Sequence, residues 1–341
     1  MTGKRPTSFD IAALAGVSQA TVSRALSQGG VVSEAVRQRV VDAAAQLNYT
    51  VDVNARKLRS KKINTIAVLI SEDMEKSDSP INPFFMPLIG SILKYAGSKG
   101  YDVLVSLQKQ SDNWGSDYGH ARRADGIIFL GYNDYDTYTK KVAVLGEMGE
   151  PWVLWGPVIP EHPNLVIGSD NEGGAYSAVK HLIGLGRRRI AFLGEPSASH
   201  LEYKERFEGY VRALTEAGIT PDPELMIDCF ISREDGVAAI ERLMSEGVAF
   251  DAVFAVADLL AVGAIQQLLR AGRSVPKDVS VMGFDDLWVC TCTSPMLSTV
   301  RQDTTEAAHV LVDALDVLIS GHPVELKRIP TQLIIRESCG G

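Results

Sequence analysis

Apolar positions recur along this chain with two different periods, and the change falls near residue 64. Before it the spacing is helical. Thr7-Ser8-Phe9-Asp10 opens a first helix, with Thr7 as cap and Asp10 three residues on completing a capping box. Ile11, Leu14 and Ala15 form its apolar stripe, and Gly16 stops it, because a left-handed residue costs glycine nothing. Ser18 caps a second helix from Gln19 to Leu26, whose inner face is Val22, Ala25 and Leu26. A third helix starts near Ser33 and repeats apolar residues at Val36, Val40, Ala44 and Leu47.

After Asn64 short apolar runs alternate with helical stretches. Thr65–Ile70 reads as a buried parallel strand. A helix over about 84–99 follows, then strand 102–106, a short helix near 115–123, strand 126–130, helix 135–148 and strand 152–155. A second series opens with strand Leu165–Gly168 and continues with helix 172–185, strand 189–193, helix 202–217 and strand 225–229. Helix 233–246, strand 252–256, helix 259–270 and strand 279–283 complete it. Two successive β-α-β series predict two parallel sheets, and such doubly wound sheets bind ligands beyond the carboxyl ends of their strands. The expected fold is a small all-α helix-turn-helix domain followed by an α/β body of two doubly wound parallel-sheet subdomains.

Length agrees with several domains, since 341 residues exceed one ordinary core. The net charge of −8 hides an asymmetry. Residues 1–62 carry ten Lys or Arg against four Asp or Glu, while the remainder carries 24 against 38. A basic head on an acidic body suggests a nucleic-acid-binding module joined to a body with another task. No apolar run approaches the ~18 residues of a membrane span. Met1-Thr2-Gly3-Lys4-Arg5-Pro6 has no apolar stretch behind it, so it is not read as a secretory signal. Cys229, Cys290, Cys292 and Cys339 have no metal-ligand spacing and read as reduced thiols of a cytoplasmic protein. No metal, cofactor or catalytic residue is expected. Gly184-Leu185-Gly186 lacks the third glycine of a dinucleotide fingerprint, and no P-loop, H-E-x-x-H or G-x-S-x-G occurs.

A short helix–turn–helix between Ile11 and Leu26 is the arrangement that lays a second helix in the DNA major groove. The outward face of that helix is Gln19, Ala20, Thr21, Ser23 and Arg24, with Ser18 at its start and Thr7 at the start of the helix before it. Gln and Arg bond base edges, and Thr and Ser reach phosphates or bases. Ala20 suits an apolar contact such as a thymine methyl. Asn54-Ala55-Arg56-Lys57-Leu58-Arg59 is a helix-compatible basic stretch too short to be stable alone in water. Its basic residues would meet phosphates, Asn54, Ala55, Arg56 and Leu58 are the candidate DNA contacts, and Leu58, the one large apolar side chain there, is suited to wedge between base pairs in the minor groove.

These residues resemble the head and hinge of the LacI/GalR family of repressors. The likeness is carried by Asp10 through Leu26, by helix 33–47 with Leu47-Asn48-Tyr49, and by Asn54 through Leu58; Val51 stands where many members have Pro. Pro151-Trp-Val-Leu-Trp155, Asp170-Asn-Glu-Gly-Gly174, Arg189-Ile-Ala-Phe-Leu-Gly194, Arg206-Phe-Glu-Gly-Tyr210, Val281-Met-Gly-Phe-Asp-Asp286 and Ser298-Thr-Val-Arg-Gln-Asp303 are similar to the family's effector-binding body. That body resembles a periplasmic sugar-binding protein, with crossing segments near 161–165, 290–296 and 320–325. The resemblance implies a headpiece over 1–50, a hinge over 51–63 and an effector and dimerisation domain over 64–341. The last divides into 64–162 plus about 293–322, and 163–292 plus about 323–341.

By the same resemblance Arg206 and Asp285 bond ligand, and Asp170, directly after a strand, is a further candidate. Phe84 and Phe85 match the first cleft segment. Trp114, Trp155 and Trp288 stand in a loop or near strand ends and would offer ring faces to a sugar, whereas Trp152 reads as core. Ala257 replaces an Asn that the family often uses. The implied function is a transcriptional repressor of carbohydrate-utilisation genes, binding a near-palindromic operator as a homodimer under the control of a small sugar. An α-glucoside such as maltose is the expected sugar. The short chain after strand Gln332–Arg336 favours a dimer over a tetramer. Competing readings are a purine- or nucleoside-responsive repressor, and a sugar-binding protein or enzyme without a regulatory role.

Overall fold

The structure, a computed structural model, describes residues 6–26, 32–49, 62–72, 81–108, 113–131, 135–157, 165–195, 200–325 and 328–340, the side chains of 135–139 excepted. The hinge candidates Asn54, Ala55, Arg56 and Leu58 lie outside the described residues. The chain forms two compact units, Met1–Ile63 and Asn64–Gly341.

In the first unit, helices α1 (Ser8–Ala15), α2 (Gln19–Ala25) and α3 (Glu34–Gln46) enclose one small core. Its buried side chains are Ile11, Ala12, Ala15, Val22, Ala25, Val40 and Ala43. Leu14, expected on the apolar stripe of α1, is exposed, and Ala12 takes its place against the core. The turn between α1 and α2 requires its glycine, since Gly16 sits at φ +65°.

In the second unit, strands β1 (Thr65–Ile70), β2 (Asp102–Leu107), β3 (Gly126–Leu130), β4 (Trp152–Trp155) and β5 (Val166–Ile167) form a parallel sheet ordered β2-β1-β3-β4-β5. Both faces of this sheet are covered, so its inner strands are buried throughout and, Thr65 apart, apolar. Alternate residues divide between two clusters: Ile66, Val68, Ile128, Val153 and Trp155 on one face, Ala67, Leu69, Phe129, Trp152 and Leu154 on the other. Helix α4 (Phe85–Ser98) packs on the first face; helix α5 (Tyr135–Met148) and a π-helical turn, Gly115–His120, cover the second. The strand expected to open the second series, β5, instead pairs with β4 and ends the first sheet. Its run of two paired residues is too short for a sequence pattern to fix its sheet.

Helices α6 (Asn171–Gly184), α7 (Leu201–Glu216), α8 (Arg233–Ser245) and α9 (Asp258–Arg270) flank the second sheet. Its strands β6 (Ile190–Leu193), β7 (Met226–Ile227), β8 (Ala252–Ala255) and β9 (Ser280–Met282) are ordered β7-β6-β8-β9, all parallel. The chain then returns through β10 (Thr299–Gln302), whose flanking Ser298 bridges Met282 of β9. Helix α10 (Thr304–Ile319), unassigned in the sequence reading, buries Ala307, Ala308, Leu311 and Leu315 in the first-sheet cluster. Strand β11 (Thr331–Ile334) closes the passage by pairing antiparallel with β10.

Helices α8 and α9 approach backbone to backbone. A Cβ on Gly236 would run into the Leu260 carbonyl, and one on Gly263 into the Arg233 carbonyl. Gly263→Ala is therefore expected to destabilise the body by about 1–3 kcal/mol, as overpacking does. Gly146→Ala on α5, where an added Cβ meets nothing within 4 Å, is the control. It should gain up to about 1 kcal/mol from helix propensity. Urea unfolding of both variants measures the two signs.

Candidate functional site

The first candidate surface is the outer face of α2. Ser18 caps the helix by accepting from the Thr21 N–H at 3.2 Å. Its hydroxyl also lies 2.9 Å from that of Thr21. Gln19 Nε2 donates to Ser8 Oγ at 3.3 Å, and Arg24 Nε donates to the Ala20 carbonyl at 3.3 Å. Ser18, Ala20, Ser23 and Arg24 are exposed, and Gln19 and Thr21 half-buried, so the face is presented as the sequence pattern expects. Thr7 is exposed but engaged: its N–H and hydroxyl both reach Asp10 Oδ2 at 2.7 Å.

The second candidate lies at the carboxyl ends of the two parallel sheets. Phe84, Phe85 and Trp155 share one apolar cluster, and the Phe84 and Trp155 rings stack with centroids 6.1 Å apart. At the ends of β1 and β2 the buried polar residues Ser71 and Gln108 follow. Gln108 Nε2 donates to the carbonyls of Leu69 and Gly131. Trp114 does not join this wall. It is buried on the opposite face of the sheet, 4.6 Å from the Phe129 ring, with its indole N–H donated to the Gln108 carbonyl. Its place in a polar loop suggested the cleft, but Ile128 and Phe129 alternate across the sheet and its partner Phe129 is on the far side.

On the second sheet the polar groups converge. Arg206, on α7, is 4% exposed and Asp285, after β9, is 8% exposed. Arg206 Nη1 lies 3.5 Å from Asp285 Oδ1 and donates to the Val256 carbonyl at 2.5 Å. Its Nε donates to Asn171 Oδ1 at 2.9 Å, and its guanidinium sits 3.7 Å over the Phe284 ring. Gln302 Nε2, from β10, donates to Asp285 Oδ1 at 2.7 Å. Beside them Asp258, the first residue of α9, is wholly buried. Its Oδ2 accepts from the Leu287 N–H at 2.7 Å, and its Oδ1 lies 2.5 Å from Thr299 Oγ1. Leu287 in turn packs in the cluster of Phe84 and Trp155, so the aromatic wall and the polar wall meet at one residue.

Burial pushes the carboxyl of Asp285 above its ordinary range, and Arg206 and Gln302 oppose that shift. Asp258 is pushed up further, by burial first and by the neighbouring Asp285 second. Asp285 and Asp286 hold positive φ values, +115° and +57°; the second is the left-handed region that aspartate tolerates, while the first is one a residue with a side chain rarely adopts. Asp170 is a helix cap: its Oδ1 accepts from the Gly173 N–H at 3.0 Å at the start of α6. Trp288, in a short 3-10 turn, is 79% exposed and stands outside the polar cluster. Sequence reasoning passed over Asn171, Asp258 and Gln302. Asn171 and Gln302 stand inside stretches that carry the family likeness and Asp258 follows Ala257, but chain proximity does not say which side chain turns inward.

Comparison with known proteins matches residues 9–52 to the family described as bacterial regulatory proteins, lacI family. Residues 179–339 match the periplasmic binding protein-like domain, a span that includes Arg206, Asp258 and Asp285. The chain is 33% identical to the HTH-type transcriptional regulator CelR of Thermobifida fusca, covering 98% of each. It is 31% identical to the HTH-type transcriptional repressor CytR of Escherichia coli K12, over 96% of this chain and 95% of the relative. Among solved structures, a CelR–cellobiose complex matches with TM-score 0.72 at 30% identity, covering 98% of this chain and 100% of the other. The lac repressor dimer bound to operator and the anti-inducer ONPF matches with TM-score 0.84 at 28% identity, covering 98% and 99%.

Breaking the buried pair tests its place in the fold. Arg206→Met removes the cation and leaves Asp285 interred. The expected loss is about 3–5 kcal/mol, the usual cost of stranding one partner of a buried pair. Equilibrium urea unfolding at neutral pH reads it. A loss within the range of a surface substitution would show that the pair is not stabilising.

Proposed function

Because the chain belongs to the lacI family of bacterial regulatory proteins, we propose that it binds a near-palindromic operator as a homodimer and that a carbohydrate at the carboxyl ends of the two body sheets controls this binding. It is a DNA-binding transcriptional regulator and not an enzyme. The observation that carries the effector reading is the buried Arg206–Asp285 pair meeting the Phe84–Trp155 wall through Leu287. A carboxylate and a guanidinium bond vicinal hydroxyls, and ring faces pack on the C–H face of a sugar.

Gln19, Ala20, Thr21, Ser23 and Arg24 read the major groove, with Ser18 and Thr7 at the backbone. Leu58, preceded by Asn54, Ala55 and Arg56, enters the minor groove. The hinge segment is short enough to hold helix only when paired and on DNA. Effector closing the body shifts the hinge ends and thereby the operator affinity, and the coupling is reciprocal. The similarity to CelR, solved with cellobiose, favours a glucose disaccharide with a β linkage over maltose as the first ligand to test.

The dimer seam is the outer face of α4 with β2. Met86, Gly90, Leu93 and Gly97 repeat at helical spacing and are exposed, and β2 is a sheet edge with Val105 outward. The two glycines have open space above them and allow close approach of a second copy.

Three outcomes are expected. Thermal melting against cellobiose, maltose, sugar phosphates and purines should show a shift with a sugar, since a ligand at 100 times its Kd adds about 2.7 kcal/mol. A shift with purines alone would sink the carbohydrate reading and leave DNA binding intact. Leu93→Asp should sediment as a monomer and lose operator affinity together. Leu58→Ala should lose specific operator binding while keeping salt-sensitive binding to unrelated DNA, as gel-shift titrations at two salt concentrations would show.

A further inference from the structure

Two neighbouring aspartates and a third nearby compete for cations at the end of β9. Asp286 is answered by Arg301 at 2.7 Å and Arg336 at 2.6 Å. Asp285 is answered by Arg206. Asp258, fully buried and adjacent to Asp285, is bonded by no cation among the described residues. Its partners are the Leu287 N–H, the Thr299 hydroxyl and the Cys290 thiol. A buried carboxylate without a cation, set beside another carboxylate, is strongly disfavoured.

The same residue closes a turn. The Asp258 N–H donates to the Phe284 carbonyl at 2.9 Å, while its carboxyl accepts from the Leu287 N–H at 2.7 Å. Backbone and side chain of one residue thus span the segment that holds Asp285 and Asp286 at positive φ. With a proton on Oδ1, Asp258 donates to Thr299 on β10 and accepts from Leu287 with Oδ2, and both bonds are satisfied.

We propose that Asp258 is a positioning residue for the effector: as a neutral acid it staples the Phe284–Leu287 turn that aims Asp285, leaving Arg206 to answer Asp285 alone. The consequence at the ligand rests on the effector reading given above. Ionisation of Asp258 puts a second negative charge beside Asp285 and turns its bond to Thr299 into acceptance only. The groups that face the pair are Arg206 from α7, Gln302 and Thr299 from β10, and Cys290 from the segment after the turn, which is itself acted on by Asp286 and Arg336. Burial raises the Asp258 carboxyl well above the ordinary range, in line with this assignment.

The sign of the pH effect follows. Above about pH 4 the unfolded chain has lost the Asp258 proton that the fold retains, so folding takes up one proton. Stability from this group is greatest in acid and is lost as pH rises until Asp258 itself ionises, by about tenfold in the folding constant per pH unit. Asp258→Asn reproduces both hydrogen bonds without a titrating group; Asp258→Ala removes both.

The test uses the full chain. Urea unfolding of wild type and Asp258→Asn from about pH 5 to about pH 9 should show a steeper decline in wild type, by up to about one proton's worth of slope. Equal slopes would overturn the proposal. Calorimetric titration with cellobiose and with maltose should then show wild-type affinity weakening at the alkaline end and Asp258→Asn affinity holding. Asp258→Ala should bind more than tenfold weaker at every pH where Asn binds normally. Asn binding as poorly as Ala would overturn the staple. If neither sugar binds wild type but the unfolding slopes differ, the neutral acid stands and the glucose-disaccharide reading of the effector falls.

Discussion

One guanidinium stands against two buried carboxyls at the carboxyl end of the second sheet, and the geometry around them follows from that imbalance. Coulombic attraction in a poorly solvated interior is strong enough to hold Arg206 against Asp285, and repulsion is strong enough to forbid a second charge. The guanidinium is fixed by more than its carboxylate. It donates to Asn171 and to the Val256 carbonyl and sits over the Phe284 ring, so its fork points in a fixed direction. A ligand hydroxyl that reached this cluster would meet donors and acceptors already oriented, with little conformational freedom left to lose.

The cluster is assembled from elements far apart in the chain. Asn171 opens α6, Arg206 lies in α7, Asp258 opens α9, and Gln302 ends β10 on the returning passage. Leu287 then carries the arrangement into the first-sheet cluster with Phe84 and Trp155. Movement of the returning strands relative to the second sheet must disturb Thr299, Gln302 and Leu287 together. Polar contacts and apolar packing are therefore linked through the same short stretch of backbone.

Much of this was legible in the sequence, for identifiable reasons. The inner strands of both sheets are continuous apolar runs, and Thr65–Ile70 and Gly126–Leu130 appear at their expected bounds. The capping box at Thr7 and Asp10, the stop at Gly16 and the cap at Ser18 are local chemistry, and local chemistry is written in adjacent residues. Arg206 and Asp285 were found through motif likeness, and they do come together. What escaped was whatever depends on facing. Trp114 and Trp155 look alike as aromatics near strand ends, yet they belong to opposite sides of one sheet. Asp258 reads as an ordinary first-turn acid until Asp285 is seen beside it. Strand β5, two residues long, carries no pattern that could assign it to either sheet.

The glycines of the helix layer have a mechanical consequence. Gly236 and Gly263 bring α8 and α9 into backbone contact, and Gly209 does the same for α7 against Glu172 and Tyr176 of α6. Side chains at an interface can yield by changing rotamer; main chain cannot. These joints are keyed, and sliding along them would drive the carbonyls of one helix off the glycines and into the bulkier neighbours on the other. The second half of the body is thus a stiff plate rather than a cushion. Work done on it at one edge is delivered at another, with little absorbed between.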